Sequence, residues 1–162
     1  MGGTIAPRRR LYGSTSAGIP GGSGAQPDEH GGVGTIRRVS DQITVRIPAS
    51  TPHIGLIRAT ASALAALLEF TYDQISDLHI AIDEVCGRIL ATSNPAPRQL
   101  EVTFRVDGDS LSVQACGDTP MREGEQFFTT FSKAILDAVA QGMQLTESDG
   151  VVCASFQLVK KG

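Results

Sequence analysis

Two periodicities of hydrophobic and polar residues run along the chain, and together they predict its secondary structure. From Asp77 to Leu90, apolar residues recur every three or four positions, which is the spacing of one buried face of an α-helix. Elsewhere apolar and polar residues alternate at every second position, as in strands that bury one face. The alternating apolar positions are Ile43, Val45 and Ile47, then Leu100, Val102, Phe104 and Val106, then Leu111, Val113 and Ala115, and finally Val152, Ala154, Phe156 and Leu158.

Capping residues and proline place the ends of the helices. Thr51 followed by Pro52 predicts the start of a first helix, because a hydroxyl N-cap precedes a residue that suits the first helical turn. Thr71-Tyr72-Asp73-Gln74 fits a capping box for the second helix, and Asn94-Pro95-Ala96-Pro97 ends it. The predicted inner faces are Ile54, Ile57, Ala61, Leu64 and Leu68 in the first helix, Leu78, Ile82, Val85 and Ile89 in the second, and Phe127, Phe131, Ile135 and Ala138 in a third.

The order of the predicted elements indicates the fold class. Asp107-Gly108 and Ser148-Asp149-Gly150 have the composition of hairpin turns, and a further strand is predicted to begin at Gln144. The order βααββαββ predicts an α+β two-layer sandwich, with one mixed, mostly antiparallel sheet and the helices on one face. This domain is expected to span residues 40–162. Residues 1–39 hold ten of the 18 glycines and few bulky apolar residues, so they are expected to form a disordered tail.

Charge and composition argue against several classes of protein. The chain has 17 acidic and 14 basic residues, and its net charge of −3 is not the basic footprint of a nucleic-acid-binding surface. No apolar run approaches the roughly 20 residues that a membrane-spanning helix needs, and no signal-peptide core is found. A role in transcription would therefore require contact with another protein, without direct binding to nucleic acid or membrane.

The three cysteines, Cys86, Cys116 and Cys153, are widely spaced and odd in number. This pattern indicates free thiols in a reducing cytosol, so the chain is expected to be cytoplasmic. The three histidines do not lie at metal-ligand spacing from the cysteines, and no metal site is predicted. Two roles remain open for Cys86 and Cys116: an oxidation-sensitive pair beside one cleft, or small buried hydrophobic residues.

The second predicted helix carries a motif. Asp83 and Glu84 lie just off its buried stripe, and Glu84 and Arg88 are four residues apart on one face. The run Asp-Leu-x-Ile-Ala-Ile-Asp-Glu-Val-Cys over residues 77–86 resembles the first conserved helix of the RsbW/SpoIIAB-type anti-sigma factors, in an actinobacterial-like form. These proteins form part of the GHKL (histidine-kinase-like ATPase) superfamily. The resemblance covers residues 43–159 and agrees with the predicted order of elements.

The resemblance implies two functions. The first is an anti-sigma factor that binds and sequesters an alternative sigma factor in a stress response, under the control of an anti-anti-sigma antagonist. The alternative is an active serine-protein kinase that phosphorylates the anti-anti-sigma factor with ATP and Mg²⁺. The resemblance also implies a homodimer.

For the nucleotide site, the resemblance implies that Glu84 acts as general base. An asparagine one turn later holds Mg²⁺ in the family, but this chain has Arg88 there. A guanidinium has no lone pair for a metal. Two interpretations of Arg88 are open: contact with a phosphate, or an ion pair with Glu84 worth a few tenths of a kcal/mol.

Two further nucleotide motifs of the family are altered in this chain. Aligned on Gly117, the family's Asp-x-Gly-x-Gly becomes Ala115-Cys116-Gly117-Asp118-Thr119, so Asp118 is the remaining candidate to read the adenine, unless it serves a turn. No glycine pair precedes the third helix, where Lys133 is the candidate phosphate ligand and Phe127 and its aromatic neighbours are expected to be core residues. We therefore expect low or absent kinase activity.

Overall fold

The computed structural model describes residues 41–161, which form five strands and three α-helices in the predicted order. The disordered tail predicted for residues 1–39 lies outside the described residues. The elements are β1 (Asp41–Pro48), α1 (Ile54–Leu67), α2 (Tyr72–Thr92), β2 (Gln99–Asp107), β3 (Ser110–Gly117), α3 (Thr130–Val139), β4 (Gln141–Ser148) and β5 (Val151–Val159). A short 3-10 helix, Thr51–His53, precedes α1.

The five strands form one sheet in the order β1-β2-β3-β5-β4. All four pairings are antiparallel, so the sheet is wholly antiparallel where the sequence predicted a mixed one. Because β5 inserts between β3 and β4, residues of β3 and β5 that are far apart in sequence face each other across the centre of the sheet. The predicted two-layer α+β class is confirmed.

The hydrophobic core lies between the sheet and the helices. The apolar positions predicted for β2, β3 and β5 are buried, apart from Val106, which is half-buried near the end of its strand. In β1, Ile47 is buried while Ile43 is exposed, because β1 is an edge strand and its first residues extend past the helical layer. The predicted alternation therefore identifies the face of the sheet that the helices cover.

The start of α1 differs from the prediction. Ser50, not Thr51, is the cap of the first turn, and Pro52 lies inside that 3-10 turn, with α1 beginning only at Ile54. The helix ends in a Schellman turn, in which Glu69 adopts a positive φ of 55° and Phe70 N donates to Ala65 O at 2.9 Å. Four of the five predicted inner residues are buried, while Leu68 is half-buried and Ala65 is buried instead.

The predicted capping box of α2 is confirmed. Thr71 Oγ1 accepts from Gln74 N at 3.3 Å, and Gln74 Oε1 accepts from Thr71 N at 3.3 Å. Gln74 is also buried, and its Nε2 donates to Val159 O at 2.9 Å, which ties the start of α2 to the end of β5. The predicted stripe Leu78, Ile82, Val85 and Ile89 is entirely buried.

The predicted inner face of α3 is wrong. Thr129 caps this helix by accepting from Ser132 N at 3.1 Å, so Phe127 precedes the helix instead of lying on it. Because the helix begins at Thr130, Ser132 and Leu136 face the core, whereas Phe131 is 74% exposed. Ile135 is half-buried and Ala138 exposed. The predicted face is wrong because it counts the aromatic residues from Phe127 onward as part of the helix.

Two hairpin turns join neighbouring strands. Gly108 has a φ of 58° and Asp109 follows it, so the first turn lies one residue later than predicted. The second turn is formed by Asp149 and Gly150, whose φ values are 52° and 75°, as expected for a two-residue hairpin turn. Within residues 41–161, no helix has the length and apolar character to cross a bilayer.

Candidate functional site

The candidate site lies along the outer border of α2, where the two adjacent carboxylates have different surroundings. Asp83 accepts two hydrogen bonds of 2.7 Å from Arg58 Nη1, so it forms an ion pair that joins α2 to α1. One turn earlier, His79 Nε2 lies 2.7 Å from Ser62 Oγ of α1. Neither contact could be predicted from the sequence, because the packing of α1 against α2 decides which of their residues face each other.

Glu84 is half-buried and makes no ion pair within the described part of the chain. The ion pair between Glu84 and Arg88, one of the two interpretations that the sequence left open, is therefore not formed. The reason is that backbone carbonyls of a neighbouring segment take up the guanidinium. Glu84 keeps the carboxylate that a general base would need, without a fixed cation beside it.

Arg88 reaches from α2 to the segment that follows β3. Its Nε donates to Phe127 O at 2.5 Å, and its Nη2 donates to Gln126 O at 2.6 Å. Two donors of one planar guanidinium thus hold two successive carbonyls, and bonds from a charged donor are stronger than those between neutral groups. The two interpretations given by the sequence, phosphate contact and pairing with Glu84, did not include this arrangement.

Residues 118–129, here called the connecting loop, run beside the last turn of α2. Arg122 N donates to Thr92 O at 2.7 Å and Asn94 N donates to Pro120 O at 3.0 Å, on either side of an antiparallel bridge between Ser93 and Met121. The loop is therefore fastened to α2 at two levels, by backbone pairing near the helix end and by Arg88 one turn earlier.

Two aromatic residues pack against each other at the end of the connecting loop. Phe127 is 2% exposed and forms part of the core, as the sequence predicted, and its ring meets that of Phe128 edge to face at 4.8 Å. The carbonyl that Arg88 Nε holds belongs to this buried residue. Lys133, the predicted phosphate ligand, is exposed and lies with Asp137 in a shallow depression beside α3.

The residues aligned with the family's adenine motif have structural roles. Ala115 is 1% exposed and faces the helices from β3. A Cβ added to Gly117 would lie 2.7 Å from Ile89 Cγ2 and 3.6 Å from Pro97 Cβ, so this glycine permits close contact between β3 and α2. Its presence in the chain is thus explained by packing.

The carboxylate of Asp118 accepts hydrogen bonds from backbone amides. Its Oδ1 accepts from Arg98 N at 2.8 Å and from Gln99 N at 3.4 Å, which fastens the start of the connecting loop to the start of β2. The sequence left two roles open for this carboxylate, adenine recognition or support of a turn, and the observed bonds resemble the second.

These side chains do not fit a Mg-ATP site. Arg88 supplies no metal ligand, its donors are used by carbonyls, and Asp118 is bonded to backbone amides. Among the described residues, no group of three or more His, Cys, Asp or Glu is placed to hold a metal ion. Two of the candidate nucleotide ligands, Arg88 and Asp118, are thus used in contacts within the protein, while Lys133 is exposed.

The prediction of three free thiols is wrong for two of the cysteines. Cys116 of β3 and Cys153 of β5 are register partners with Cα atoms 4.1 Å apart, and they form a disulfide on the sheet face away from the helices. Of the two roles left open for Cys86 and Cys116, the oxidation-sensitive pair does not form, and Cys86 is a small buried residue of the core. Burial, with a smaller contribution from the nearby Asp83 carboxylate, raises the pKa of Cys86 to about 12. Because two of the three cysteines are joined in a disulfide, the cysteines no longer indicate a reducing compartment.

Comparison with known proteins supports the resemblance. No family model matches the chain. It is 34% identical over 80 residues to the serine-protein kinase RsbW of Bacillus licheniformis and 35% identical over 80 residues to that of Bacillus subtilis, which covers 48% of this chain and 50% of each relative. It is 36% identical over 75 residues to the RsbW of Bacillus velezensis, covering 45% of this chain and 47% of the relative. The chain thus spans about half the length of the curated relatives it matches.

A solved structure shares the fold. The structure of the RsbU and RsbW domains of Rv1364c from Mycobacterium tuberculosis superposes with a TM-score of 0.58 at 13% identity, covering 75% of this chain and 32% of that chain. At that identity the likeness concerns the fold alone. The sequence comparison confirms the resemblance: over about half its length the chain is similar to RsbW serine-protein kinases. The structural comparison shows that it shares its fold with part of the solved RsbU–RsbW structure.

Proposed function

We propose that this chain is an anti-sigma factor that binds and sequesters an alternative sigma factor, with an anti-anti-sigma protein as its antagonist. Sequence similarity to RsbW proteins and the shared fold support this proposal. The observation that carries it is the state of the candidate nucleotide site, where Arg88 and Asp118 are used in contacts within the protein while the fold is kept. Sequestration depends on a binding surface and needs no catalytic group.

A binding experiment tests the proposal. The purified full chain is titrated against each alternative sigma factor of its organism at physiological salt. We expect at least one complex with a dissociation constant of roughly 1 μM or tighter, because a regulator must compete with RNA polymerase. The control is the variant Glu84→Ala, which should bind equally well if catalysis is not involved. Failure to bind any sigma factor of the set would refute the proposed function.

The kinase is the second candidate, because the relatives are named serine-protein kinases and Glu84 is half-buried without an ion-pair partner in the described part of the chain. Its test is phosphate transfer from Mg-ATP to a serine of the anti-anti-sigma protein. If Glu84 were the general base, Glu84→Ala would abolish transfer and leave sigma binding unchanged. We expect no transfer by the parent protein.

The proposal also includes a homodimer, which the resemblance implies, and a cytoplasmic location, where a sigma factor would be bound. Leu56 and Leu67 on the outer side of α1 are exposed, and a dimer would give such a surface a partner. Sedimentation equilibrium of the full chain tests the oligomeric state. A monomer at all concentrations up to roughly 100 μM would remove the dimer from the proposal.

A further inference from the structure

We propose that Arg88 is a positioning residue that takes over the organising role of a bound ligand. In this inference, its guanidinium fastens the connecting loop to α2, so that the loop keeps one conformation whether or not nucleotide is present. The inference deepens the proposed function, because the loop belongs to the same candidate site. Its structural part concerns Arg88 and the loop alone and is testable without any sigma factor.

The first support is the geometry of the guanidinium. Nε and Nη2 reach Phe127 O and Gln126 O at 2.5 and 2.6 Å, so the planar fork spans two successive peptide units. A backbone carbonyl beside a buried residue needs a donor, and in this loop a side chain supplies it. A lysine offers one compact ammonium at this position and does not reproduce the forked arrangement.

The second support is what lies on each side of the contact. Phe127 is buried, so its ring anchors the loop in the core, while Gln126 is exposed. The guanidinium holds the backbone between these two side chains. Without it, the buried ring alone would fix the end of the loop, and the orientation of the exposed residues 122–126 would be less restricted.

The third support is charge. The guanidinium is part of the chain, so its charged contact with the loop cannot dissociate as a metal or nucleotide would. Glu84, one turn earlier, leaves the guanidinium free for this contact. Under the proposed function, the loop then presents the same surface to a protein partner at every nucleotide concentration.

Hydrogen exchange of the loop amides tests the inference. The reporters are Arg122 N, bonded to Thr92 O, and Glu125 N, bonded to Arg122 O. We expect slow exchange at both amides in the parent chain, unchanged by Mg-ATP at about 1 mM. In Arg88→Ala their exchange should rise roughly 10- to 100-fold, since hydrogen bonds to a charged group are lost. The matched control is Arg58→Ala, which removes the exposed ion pair with Asp83 and should leave the loop unchanged.

A second variant guards against misfolding. If Arg88→Ala does not fold, Arg88→Lys keeps the charge but loses the fork, and it should give an intermediate rise in exchange. Unchanged loop exchange in a folded Arg88 variant would overturn the inference, as would further protection of the parent loop by Mg-ATP. Sigma binding is measured separately, so a protein with a fastened loop that binds no sigma factor refutes only the proposed function.

Discussion

The disulfide between Cys116 and Cys153 gives a prediction that separates this structure from the expectation of free thiols. The bond joins two neighbouring strands at the centre of the sheet, on the polar face, and Cys116 lies two residues before the connecting loop. The perturbation is the double variant Cys116→Ser, Cys153→Ser, compared with the oxidised parent. Both serines face away from the core, so their hydroxyls remain within reach of water.

The expected loss follows from the length of chain that the bond closes. The two cysteines are 37 residues apart in sequence. In the chain-entropy model, closing a loop of that length in the unfolded state stabilises the folded protein by about 4 kcal/mol at 25 °C. This is a large share of the stability of a domain this size, which is typically about 5–15 kcal/mol.

Urea unfolding followed by far-ultraviolet circular dichroism measures the difference, since the chain has no tryptophan for a fluorescence signal. We expect the double variant to lose about 4 kcal/mol of unfolding free energy. A thiol reductant should bring the parent to the value of the variant and leave the variant unchanged. Thiol titration in denaturant should detect one thiol in the oxidised parent, that of Cys86.

Two results would refute this reasoning. Three titratable thiols in the denatured parent, purified without reductant, would show that the bond does not form. A single thiol together with a stability difference below about 1 kcal/mol would show that the bond forms but that the unfolded chain is not restricted by it.

Three further predictions concern the core. Gly117→Ala should lower the free energy of unfolding in urea by about 1–3 kcal/mol, because the added Cβ would clash with Ile89. The control Gly87→Ala has open space around its added Cβ in α2 and should raise that free energy by about 0.5–1 kcal/mol. Gln74→Ala should cost about 1–3 kcal/mol, since it removes the capping box and the bond to the last strand. Burial raises the pKa of the Cys86 thiol from 9.0 to about 12, so the unfolded state loses this proton first. Relative to Cys86→Ala, the free energy of unfolding should fall as the pH rises from about 9 to about 12 and level off above that range. Equal pH profiles for parent and Cys86→Ala would contradict that pKa.

The sequence predicted those features that local pattern determines. The alternation in β2, β3 and β5 and the stripe of α2 each identify a buried face, and the capping box at Thr71 fixes a helix start by bonds between residues three apart. Such signals are contained within a few neighbouring residues. The order of elements and the two-layer class followed from them.

Two of the interpretations that failed depend on pairing between distant segments, whereas the inner face of α3 failed locally, because its cap is Thr129. The Cys116–Cys153 disulfide requires the register of β3 against β5, and nothing in either strand specifies that the two are neighbours. One signal was available: both cysteines fall on the outward phase of their strands. Likewise helical spacing allowed Glu84 and Arg88 to pair, but carbonyls brought in by the connecting loop bind the guanidinium instead.

The contacts of Arg88 also bear on how a complex with a sigma factor would be released. In a protein whose loop is organised by nucleotide, hydrolysis or exchange changes the surface offered to partners. Here a permanent cation and a buried aromatic residue hold the loop, and Asp118 fastens its other end to β2. If the loop keeps one conformation, as proposed above, nucleotide has no second loop state to select, and a ligand with equal affinity for two states does not shift a conformational equilibrium. Under the proposed function, release must therefore come from an antagonist that competes for the sigma-binding surface itself.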